Sequence, residues 1–508
     1  MTEYLLGLDA GSTMTKVVLF DCNGREVDAE RRRNPIQFPR PGHTERDPER
    51  MWHDAGDAIR VLLDRCGVAP SAIAGVSTCG YGAGLYLVNE RGRAVRPGIM
   101  STDARAAELI AGWERSGVSP GSALRVQQRH WTGQPAALMA WLSQHEPAAL
   151  QKTHRLVFCK DYLRAQLCGD ISTDPTDAGL GALVDVPTHA YDPAFYDALG
   201  IPEWHAKLPH VGASTEVVGR VSTTAEAATG LLAGTPVVRG IVDVVAAAIA
   251  SGVVEPSQLS VVAGTFSINS TLHATPRIDT LPLLQAPYPV GGYCLATEGS
   301  PTSASNFEWY CKAVLGPVVA AAAEDSGRTI YEVLGDRVQA AAMQRRNDIL
   351  FLPFLFGGPG GAPAAFIGLQ AAHDGTDVVR AIFEGIAFAH RLDIERLLGG
   401  RDRAPVTSIR LAGGAARSQP WSQMFADVLG LPVEITEGTE LGARGTAMSA
   451  AVGLGLHADW GSAVRNMVRV VRRLEPRPDW QALYERKYAR FKRYLHGMAA
   501  LQQQDDAA

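Results

Sequence analysis

The segment from Asp9 to Lys16 combines a carboxylate, a glycine and two adjacent hydroxyl side chains directly after an apolar run. Gly11 would let the backbone approach an anion closely, and Ser12 and Thr13 would offer N–H and O–H donors. Asp9 could hold Mg²⁺ through water. These residue types suit a phosphate-binding turn, but a β-hairpin whose turn needs glycine fits them equally well. The spacing matches neither a Walker A loop nor GxGxxG, so it does not support those nucleotide-binding folds.

Asp243 is the second candidate for chemistry. It stands at the mouth of an apolar, alanine-rich segment, where a lone carboxylate is costly to bury without a partner or a purpose. One interpretation makes it the N-cap of a helix that begins at Val244, a position that aspartate favours. The other makes it a base, because an aspartate at a helix N-terminus stays ionised and can accept a hydroxyl proton. The residues alone favour the cap, and the two roles are compatible.

Two further glycine pairs follow apolar strands in the second half of the chain: Gly264-Thr265 and Gly413-Gly414. Taken singly, each pair is better explained as a strand-to-helix turn. Three glycine turns of this kind, spread over both halves of the chain, indicate a shared nucleotide-binding cleft more strongly than any one of them.

A glycine-rich loop at residues 80–84 and a polar segment at residues 101–105 are candidates for sugar binding. The loop offers a flexible wall, and the polar segment offers hydrogen-bonding side chains suited to a polyol. A surface turn followed by a helix cap would have the same composition, so that alternative stays open.

The elements that would position these residues alternate between strands and helices. Residues 4–9 and 16–20 are predicted as strands, residues 48–65 as an amphipathic helix and residues 73–77 as a further strand. Such alternation predicts an α/β class with parallel sheets.

A short internal similarity suggests that the chain contains two domains. Residues 263–266 echo the pattern of residues 10–13 at an offset of 253 residues, which is almost half of the chain. At 508 residues the chain is also too long for one ordinary core. A boundary is predicted near residues 246–257, where Gly252 and Pro256 end an apolar helix.

The bulk composition excludes several classes of function. A net charge of −5 and a pI of 6.2 leave no basic surplus for a nucleic-acid partner. The seven cysteines are odd in number and never form CxxC, which predicts reduced thiols in a cytoplasm. No apolar run has membrane-spanning length, and the N-terminus lacks the basic region of a signal peptide.

The sequence resembles the FGGY carbohydrate kinases of the actin/Hsp70/sugar-kinase superfamily from residue 4 to residue 455. Residues 364–384 fit the C-terminal signature of that family at each constrained position. Residues 133–145 resemble its N-terminal signature, except that Leu138 replaces the usual lysine. Lys160-Asp161-Tyr162-Leu163 is similar to the Lys-Asp-Tyr segment of the family.

The resemblance implies an α/β fold of two ribonuclease-H-like (actin-like ATPase) domains. Each domain would be a mixed sheet flanked by helices, with the active site in the cleft between them. Residues 1–247 would form the FGGY N-terminal domain, with the sugar site and the first phosphate turn. Residues 256–455 would form the nucleotide-binding C-terminal domain, and residues 456–508 a helical segment that packs on the body.

The resemblance also implies roles for individual residues. Asp243 would be the catalytic base, and Asp9 and Asp243 would lie near Mg²⁺, mostly through water. The implied nucleotide-binding residues are Gly11, Ser12, Thr13, Lys16, Gly264, Thr265, Glu308, Gly413, Gly414, Ala415 and Ser418. The implied substrate-binding residues are Gly80, Tyr81, Gly82, Ser101, Asp103, Arg105 and Asp243. ATP and Mg²⁺ are the implied cofactors, a small sugar is the partner, and a homodimer is common among similar proteins.

The implied function is ATP-dependent phosphorylation of a primary hydroxyl of a small sugar. Gly80-Tyr81, Ser101 and Val244 depart from the pattern of D-xylulose kinases and are more similar to the L-xylulose kinase branch, with erythritol kinases close by. A pentulose is therefore expected, L-xylulose ahead of D-xylulose, with a tetritol such as erythritol as the alternative. A non-catalytic regulator that binds sugar and ATP is the alternative from another class, and the intact Asp243 and glycine turns oppose it.

Overall fold

The computed structural model describes residues 3–316, 330–342, 348–399 and 405–507. The chain forms two compact units, and neither is continuous in sequence. The first unit comprises Met1–Val254, Leu272–Ala296 and Gly438–Arg469, and the second comprises Glu255–Thr271, Thr297–Glu437 and Val470–Ala508.

Strands occur in both units and are numbered in chain order. They are β1 (Tyr4–Ala10), β2 (Met14–Asp21), β3 (Glu26–Arg33), β4 (Glu45–Arg46), β5 (Ile73–Gly80), β6 (Tyr86–Val88), β7 (Gly98–Ile99), β8 (Arg155–Val157), β9 (Val217–Arg220) and β10 (Pro236–Val238). They continue as β11 (Gln258–Ala263), β12 (Ser267–His273), β13 (Leu284–Pro287), β14 (Cys294–Ser300), β15 (Leu350–Leu352), β16 (Ala365–Ile367), β17 (Ser408–Gly413), β18 (Val433–Thr436) and β19 (Val470–Leu474).

The helices alternate with these strands. They are α1 (Pro48–Cys66), α2 (Ala107–Arg115), α3 (Val118–Arg125), α4 (Pro135–His145), α5 (Pro147–Lys152), α6 (Cys159–Cys168), α7 (Pro175–Leu180), α8 (Pro193–Ala198), α9 (Thr223–Thr229) and α10 (Asp243–Ala250). They continue as α11 (Ala304–Trp309), α12 (Ile330–Ala342), α13 (Gly375–Leu398), α14 (Gly414–Arg417), α15 (Gln419–Leu429), α16 (Leu441–Gly453), α17 (Trp460–Met467) and α18 (Pro478–Ala507). Within the described chain, every helix is too short or too polar to cross a bilayer.

The first unit is built on a mixed sheet with the strand order β3-β2-β1-β5-β10-β9. Strand β1 pairs antiparallel with β2 and parallel with β5, and β5 continues parallel with β10. Along β1, Leu6 and Leu8 pack into the apolar cluster that contains α1, whereas Leu5 packs into the cluster that contains α10 and α16. Because side chains alternate along a strand, Asp9 lies on the same face as Leu5.

The second sheet has the strand order β13-β14-β12-β11-β17-β18-β19, and from β14 to β19 it repeats the topology of the first. Strand β11 pairs antiparallel with β12 and parallel with β17, and β17 continues parallel with β18. The last strand is antiparallel in both sheets, β9 beside β10 and β19 beside β18. The duplication that a four-residue similarity suggested is therefore present in the topology of the two sheets.

The two sheets also place equivalent turns at equivalent strand ends. Residues 11–13, named the first glycine turn, connect β1 to β2, and residues 264–266, the second glycine turn, connect β11 to β12. On the neighbouring parallel strand, Ala10 is paired with Gly80 in the first unit and Ala263 with Gly413 in the second. A glycine thus ends the strand beside each turn.

Short-range signals determine where α1 begins and ends. The side chain of Asp47 caps the helix by accepting hydrogen bonds from two backbone N–H groups of the first turn. Pro48 occupies the first helical position, where its missing N–H has no consequence. Gly67 ends the helix in the left-handed conformation, with φ of 61°. The helix predicted over residues 48–65 is confirmed to within one residue.

Helix α13 begins with a reciprocal pair of aspartates. Asp374 is the cap, and Asp377 accepts a hydrogen bond from the N–H of Asp374 at 3.1 Å. This capping pair fixes the start of the helix. Residues 379–390 are all buried, so this helix is enclosed on every side and does not present a single apolar face.

The compact units divide the chain differently from the predicted sequence domains, which stay a prediction. We expected continuous domains at residues 1–247 and 256–455, but α16 and α17 belong to the first unit, because α16 packs against β1, β5 and α10. The predicted helical segment at residues 456–508 is divided as well. Helix α17 belongs to the first unit, whereas β19 and α18 belong to the second.

Candidate active site

Asp9 lies one residue before the end of β1. Only 7% of its surface is exposed, and its Oδ1 has no hydrogen-bond partner among the described residues. Burial raises the pKa of Asp9, and the charge of Lys16 offsets this only in part. An under-coordinated carboxylate at the edge of a sheet is an available ligand for a cation.

Lys16 lies on β2, directly across from Asp9. Its Nζ is 3.8 Å from Asp9 Oδ2 and 2.9 Å from Glu440 Oε2. Burial disfavours the ammonium, but the carboxylates of Asp9 and Glu440 outweigh it and raise the pKa of Lys16. The sequence prediction missed Glu440, because nothing in the spacing links residue 440 to residue 9.

Asp243 is the first residue of α10, and the N-cap is Val242. The predicted cap role is therefore wrong, since a residue already inside the helix cannot cap it. The expectation that Asp243 stays fully ionised is also corrected. Burial of the carboxyl, together with the charge of Asp9, raises the pKa of Asp243 to about 7, and the N–H of Val244 opposes this only in part. A carboxylate with a pKa near the operating pH is suited to general-base work.

Helix α16 brings Asp9 and Asp243 together by means of glycines. A Cβ at residue 442 would lie 2.8 Å from Asp9 Oδ2, and a Cβ at residue 445 would lie 2.2 Å from the carbonyl oxygen of Ala246 in α10. Only glycine allows such close approach. Because the two glycines are three residues apart, they share one helix face, and the helix can contact β1 and α10 at once. This Gly-x-x-Gly spacing was the signal in the sequence, and the prediction did not use it.

Asn34 holds the first glycine turn. Its Nδ2 donates to the carbonyl of Gly11 at 2.8 Å, and its Oδ1 accepts from the hydroxyl of Thr15 at 2.9 Å. Its backbone N–H donates to the carbonyl of Thr13 at 2.9 Å. Ser12 is half-buried and Thr13 is exposed, so the turn is fixed from one side while its donors stay accessible.

The loop at residues 80–82 runs past both acidic residues of the site. Its first N–H after β5, that of Tyr81, donates to the carbonyl of Ala10 at 3.2 Å. A Cβ at residue 82 would lie 2.8 Å from the side chain of Val242, the residue before Asp243. The predicted substrate loop therefore lies between the end of β1 and the start of α10.

The side chain of Tyr81 is not the flexible wall that we expected. It is 5% exposed, and its hydroxyl lies 2.8 Å from the hydroxyl of Tyr86 inside the core. Gly80 and Gly82 are also held in place, because neighbouring atoms pack closely against them. This loop can present its backbone to a substrate, because the tyrosine ring is already used for packing.

Asp103 and Arg105 form a closed ion pair. Arg105 donates two hydrogen bonds to Asp103, at 2.8 and 2.9 Å, and a third to Glu45 at 2.8 Å. Asp103 also accepts from the N–H of Thr44 at 2.6 Å. Both side chains are buried. Ser101 is half-buried nearby, and its carbonyl meets the backbone of Gly133 so closely that a Cβ there would lie 1.9 Å away.

Leu138, at the place of the family's usual lysine, lies on α4. It is fully buried in an apolar cluster of the first unit. An ammonium group here would be withdrawn from water at a large cost. At this position the chain therefore has an apolar packing residue where the family usually has a charged side chain.

A buried charged network, none of whose residues was predicted as a site residue, supports the loop before Asp243. Lys160 lies 2.6 Å from Asp161, 3.0 Å from Asp174 and 3.6 Å from Asp177. Burial raises the pKa of Asp177 well above its usual range, and the charge of Asp243 adds to the effect.

The helix that carries Asp177 is bonded to Val242, the residue before Asp243. The hydroxyl of Thr176 accepts from the N–H of Val242 at 3.0 Å. Arg164 donates to the carbonyl of Arg239 at 2.8 Å. The sequence analysis did not predict these hydrogen bonds, because the residues that form them lie far apart in the chain.

In the second unit, two predicted nucleotide turns meet. A Cβ at Gly413 would lie 2.6 Å from the carbonyl oxygen of Ala263 and 2.8 Å from the nitrogen of Gly264. Gly413 has a φ of 82°, in the left-handed region that favours glycine. Thr265 is exposed at the tip of the second glycine turn. The carboxyl ends of two parallel strands thus bring these turns to one edge of the sheet.

The remaining predicted nucleotide residues lie on elements that begin at this edge. Ala415 is buried in α14, and Ser418 caps α15 by accepting from the N–H of Trp421 at 3.4 Å. Glu308 lies on α11 and forms an ion pair with Lys312. A Cβ at residue 414 would lie 3.8 Å from Ala304, the first residue of α11, so both elements border the turns.

Comparison with known proteins identifies what this arrangement is similar to. The chain matches the model of the "FGGY family of carbohydrate kinases, N-terminal domain" over residues 4–250 and that of the C-terminal domain over residues 259–454. It is 34% identical to the L-xylulose/3-keto-L-gulonate kinase of Escherichia coli, covering 99% of this chain and 98% of that protein. It is 32% identical to a probable L-xylulose kinase of Pasteurella multocida, covering 98% and 100%.

Solved structures agree on the fold. A xylulose kinase from Lactobacillus acidophilus matches with a TM-score of 0.85 at 21% identity, covering 98% of this chain and 99% of that one. A xylulose kinase from Rhodospirillum rubrum matches with a TM-score of 0.83 at 25% identity and the same coverage. The predicted fold class, two sheet-containing domains of the actin-like ATPase type, is confirmed.

Proposed function

The chain belongs to the FGGY family of carbohydrate kinases and is therefore a phosphotransferase that acts on a sugar hydroxyl; within that activity, we propose that it transfers the γ-phosphoryl group of ATP to a primary hydroxyl of L-xylulose. The observation that carries the proposal is the position of Asp243. It begins α10, beside Asp9 and behind the backbone of residues 80–82, with its pKa raised to about 7.

Asp243 is the base of the proposed step. The sugar hydroxyl donates its proton to the carboxylate as the sugar oxygen bonds to the γ-phosphorus, and the bond from that phosphorus to the β-γ bridging oxygen breaks to release ADP. Phosphoryl transfer depends mainly on positioning and charge neutralisation. A positioned general base contributes roughly 10²–10⁴-fold.

The residues around Asp9 fit a magnesium ion bound mostly through water. Asp9 Oδ1 is buried and has no hydrogen-bond partner among the described residues. No cluster of three or more metal-ligating side chains occurs in the described chain, which suits Mg²⁺, because it usually takes one or two carboxylates and the substrate phosphates. When bound, the ion would neutralise phosphate charge. Lys16, between Asp9 and Glu440, keeps both carboxylates oriented.

We assign the nucleotide to the two glycine turns and the elements beside them. The first turn keeps accessible donors because Asn34 holds it from one side. The second turn, with Gly413 packed against it, forms a glycine-lined edge where a phosphate can approach the backbone. Gly414, Ala415, Ser418 and Glu308 border that edge and are proposed to contact the rest of the nucleotide.

L-xylulose is proposed as the sugar because the two relatives described above are named for it, and because Gly80-Tyr81, Ser101 and Val244 are similar to that branch. D-xylulose is the next candidate, and erythritol represents the tetritols. The name of the Escherichia coli relative also includes 3-keto-L-gulonate, so the corresponding sugar acid belongs on any panel. Proteins named autoinducer-2 kinase, 29% identical to the chain over 95% of its length, add a further substrate to test.

The experiment is a substrate panel read by ADP release coupled to oxidation of a nicotinamide. It should include L-xylulose, D-xylulose, erythritol, glycerol, 3-keto-L-gulonate and autoinducer-2, with Asp243→Asn as the matched inactive control. The highest kcat/KM with L-xylulose would support the proposal. A higher kcat/KM for another sugar would refute L-xylulose as the substrate. ADP release from the Asp243→Asn variant at the wild-type rate would refute the role of Asp243 as the base.

Two expectations accompany this proposal. A cytoplasmic location fits the seven free cysteines and the use of ATP, and fractionation of expressing cells would test it. A homodimer is expected by similarity to related kinases, and light scattering at micromolar concentration would measure the mass.

A further inference from the structure

His390 lies in the middle of α13 and is fully buried. A buried imidazole is costly unless both ring nitrogens are hydrogen-bonded. Here both are, since Nδ1 lies 2.7 Å from Asn269 Oδ1 and Nε2 lies 2.9 Å from Ser303 Oγ. The proposed reaction uses none of these side chains.

Asn269 determines where the imidazole carries its proton. Its Nδ2 donates to the hydroxyl of Ser267 at 3.0 Å and to the carboxylate of Asp393 at 3.2 Å, which turns its Oδ1 toward His390. An amide oxygen only accepts, so Nδ1 of the ring is protonated and Nε2 accepts from the hydroxyl of Ser303. Burial lowers the pKa of His390 to about 3, which keeps the ring neutral.

These hydrogen bonds reach both sides of the second glycine turn. Ser267, 3.2 Å from Nδ1 of His390, directly follows the turn and begins β12. On the other side, Ser303 precedes α11, and the N–H of the next residue, Ala304, donates to the carbonyl of Gly264 at 2.8 Å. Ser303 does not cap α11 with its hydroxyl, because that hydroxyl is donated to the ring.

We propose that His390 is a positioning residue that holds the second glycine turn in the conformation that binds the phosphates of ATP. This inference rests on the nucleotide role proposed above for that turn. Backbone donors that are already ordered bind an anion more tightly, because less conformational entropy is lost on binding. Removing the ring should therefore weaken ATP binding and leave sugar binding unchanged.

Four variants of the full chain separate this role from simple packing. His390→Leu keeps the volume and removes both hydrogen bonds, whereas His390→Asn can keep the bond toward Asn269 and His390→Gln the bond toward Ser303. The matched control is Phe388→Leu on the same helix. That ring packs against Tyr484 and Tyr488 of α18, away from the turn, so the substitution lowers stability without touching the network.

The measurements are KM for MgATP, KM for the best sugar of the panel, and Tm. We expect His390→Leu to raise KM for ATP about tenfold, the factor that corresponds to one lost hydrogen bond, with KM for the sugar unchanged. His390→Asn and His390→Gln should give intermediate values, and Phe388→Leu should lower Tm alone. Equal increases in both KM values, or an ATP KM no different from that of Phe388→Leu, would overturn the proposal.

Ser303→Ala provides a second route if His390→Leu fails to fold. It removes one hydrogen bond at the edge of the network and should also raise KM for ATP selectively; an unchanged KM would count against the proposal. Direct titration of the wild-type chain with MgADP separates this test from the proposed function. If ADP binds but no sugar of the panel is phosphorylated, the function fails. If the sugar is phosphorylated but the His390 variants bind ADP normally, only the positioning role fails.

Discussion

In the first unit, the glycine turn lies beside a pair of opposite charges, Asp9 on β1 and Lys16 on β2. In the second unit, the corresponding strand positions beside the turn carry Val262 and Ile268, which pair across β11 and β12. The strand order and the turn are the same, but only one of the two edges holds ionisable groups at these positions. The fold thus repeats the strands and the glycine turn in both units, whereas the pair of charged side chains beside the turn occurs only in the first.

The supports of the two turns differ as well. In the first unit, Asn34 and Arg46 both donate to the carbonyl of Gly11, at 2.8 and 3.3 Å, and Asn34 also accepts from the hydroxyl of Thr15. In the second unit, the carbonyl of Gly264 is bonded by the N–H of Ala304, and the side chains behind the turn converge on His390. Both turns are held from behind by polar groups, and this leaves their glycines free to meet a ligand.

We propose that the first unit supplies the proton acceptor as well as a phosphate turn, whereas the second unit supplies a phosphate turn with no ionisable group at the corresponding strand positions. The backbone N–H donors of a turn can bind a phosphate. A proton acceptor is instead a carboxylate kept partly out of water, as Asp243 is. A substitution in the turn or site of one unit can therefore be compared with a substitution in the other unit, which serves as its control.

The largest effect is expected for Asp243→Asn. The amide cannot accept the hydroxyl proton, so kcat should fall by roughly 10²–10⁴-fold or more. Binding of MgADP, which we assign to the glycine turns, should be unchanged in titration calorimetry. Steady-state kinetics at saturating sugar and ATP provide the measurement, and turnover near the wild-type rate would remove Asp243 from the mechanism.

A pH dependence of stability distinguishes the second unit. The pKa of His390 is lowered by burial from 6.5 to about 3, so its stabilising contribution is present above pH 6.5 and is lost as the pH falls toward 3. Between pH 7 and pH 5 the wild type should lose about 2 kcal/mol more than His390→Gln. Nearby Asp393, Glu298 and Arg396 are common to both proteins, so their titration cancels in the difference.

Urea unfolding at the two pH values measures this difference. Phe388→Leu is the control, because it leaves the hydrogen bonds of His390 intact and removes no titrating group. It should lose as much stability between the two pH values as the wild type. If the wild type and His390→Gln show parallel losses of stability, His390 is not held neutral by the fold.

Local signals in the sequence predicted most of the framework. The strand, glycine turn and strand at residues 4–20, the helix at residues 48–65 and the strand that leads to Gly413 all follow from apolar runs and turn residues within a few positions of one another. Asp243 and Asp9 were found for the same reason, since a carboxylate next to an apolar run is conspicuous on its own.

What escaped prediction depends on contacts between distant segments. Glu440 joins the site only because glycines 442 and 445 let α16 approach β1 and α10. Tyr81 was expected to face a substrate, but its partner Tyr86 and the surrounding core decide its direction. The cap role of Asp243 failed by a single residue, and a shift that small depends on φ and ψ angles that sequence patterns do not determine.

A smaller effect is expected for Thr265→Val in the second glycine turn. Its hydroxyl is exposed at the tip of the turn, and its loss should raise KM for ATP about tenfold, as for one hydrogen bond to a charged group. KM for the sugar should not change, because the proposed sugar site lies in the first unit. Initial rates with each substrate varied in turn give both constants, and equal increases would place Thr265 outside the nucleotide site.

Tyr81→Phe should have the smallest effect. It tests the residue that follows Gly80, the glycine that corresponds to Gly413 of the second unit. After Gly80 the first unit continues with Tyr81, whereas after Gly413 the second continues with Gly414. If the tyrosine is a packing residue, removing its hydroxyl breaks its bond to Tyr86 inside the core and lowers the free energy of unfolding by about 1 kcal/mol. KM for the sugar should then equal the wild-type value. A selective rise in that constant, with unfolding unchanged, would mean that the hydroxyl leaves the core to bind the sugar.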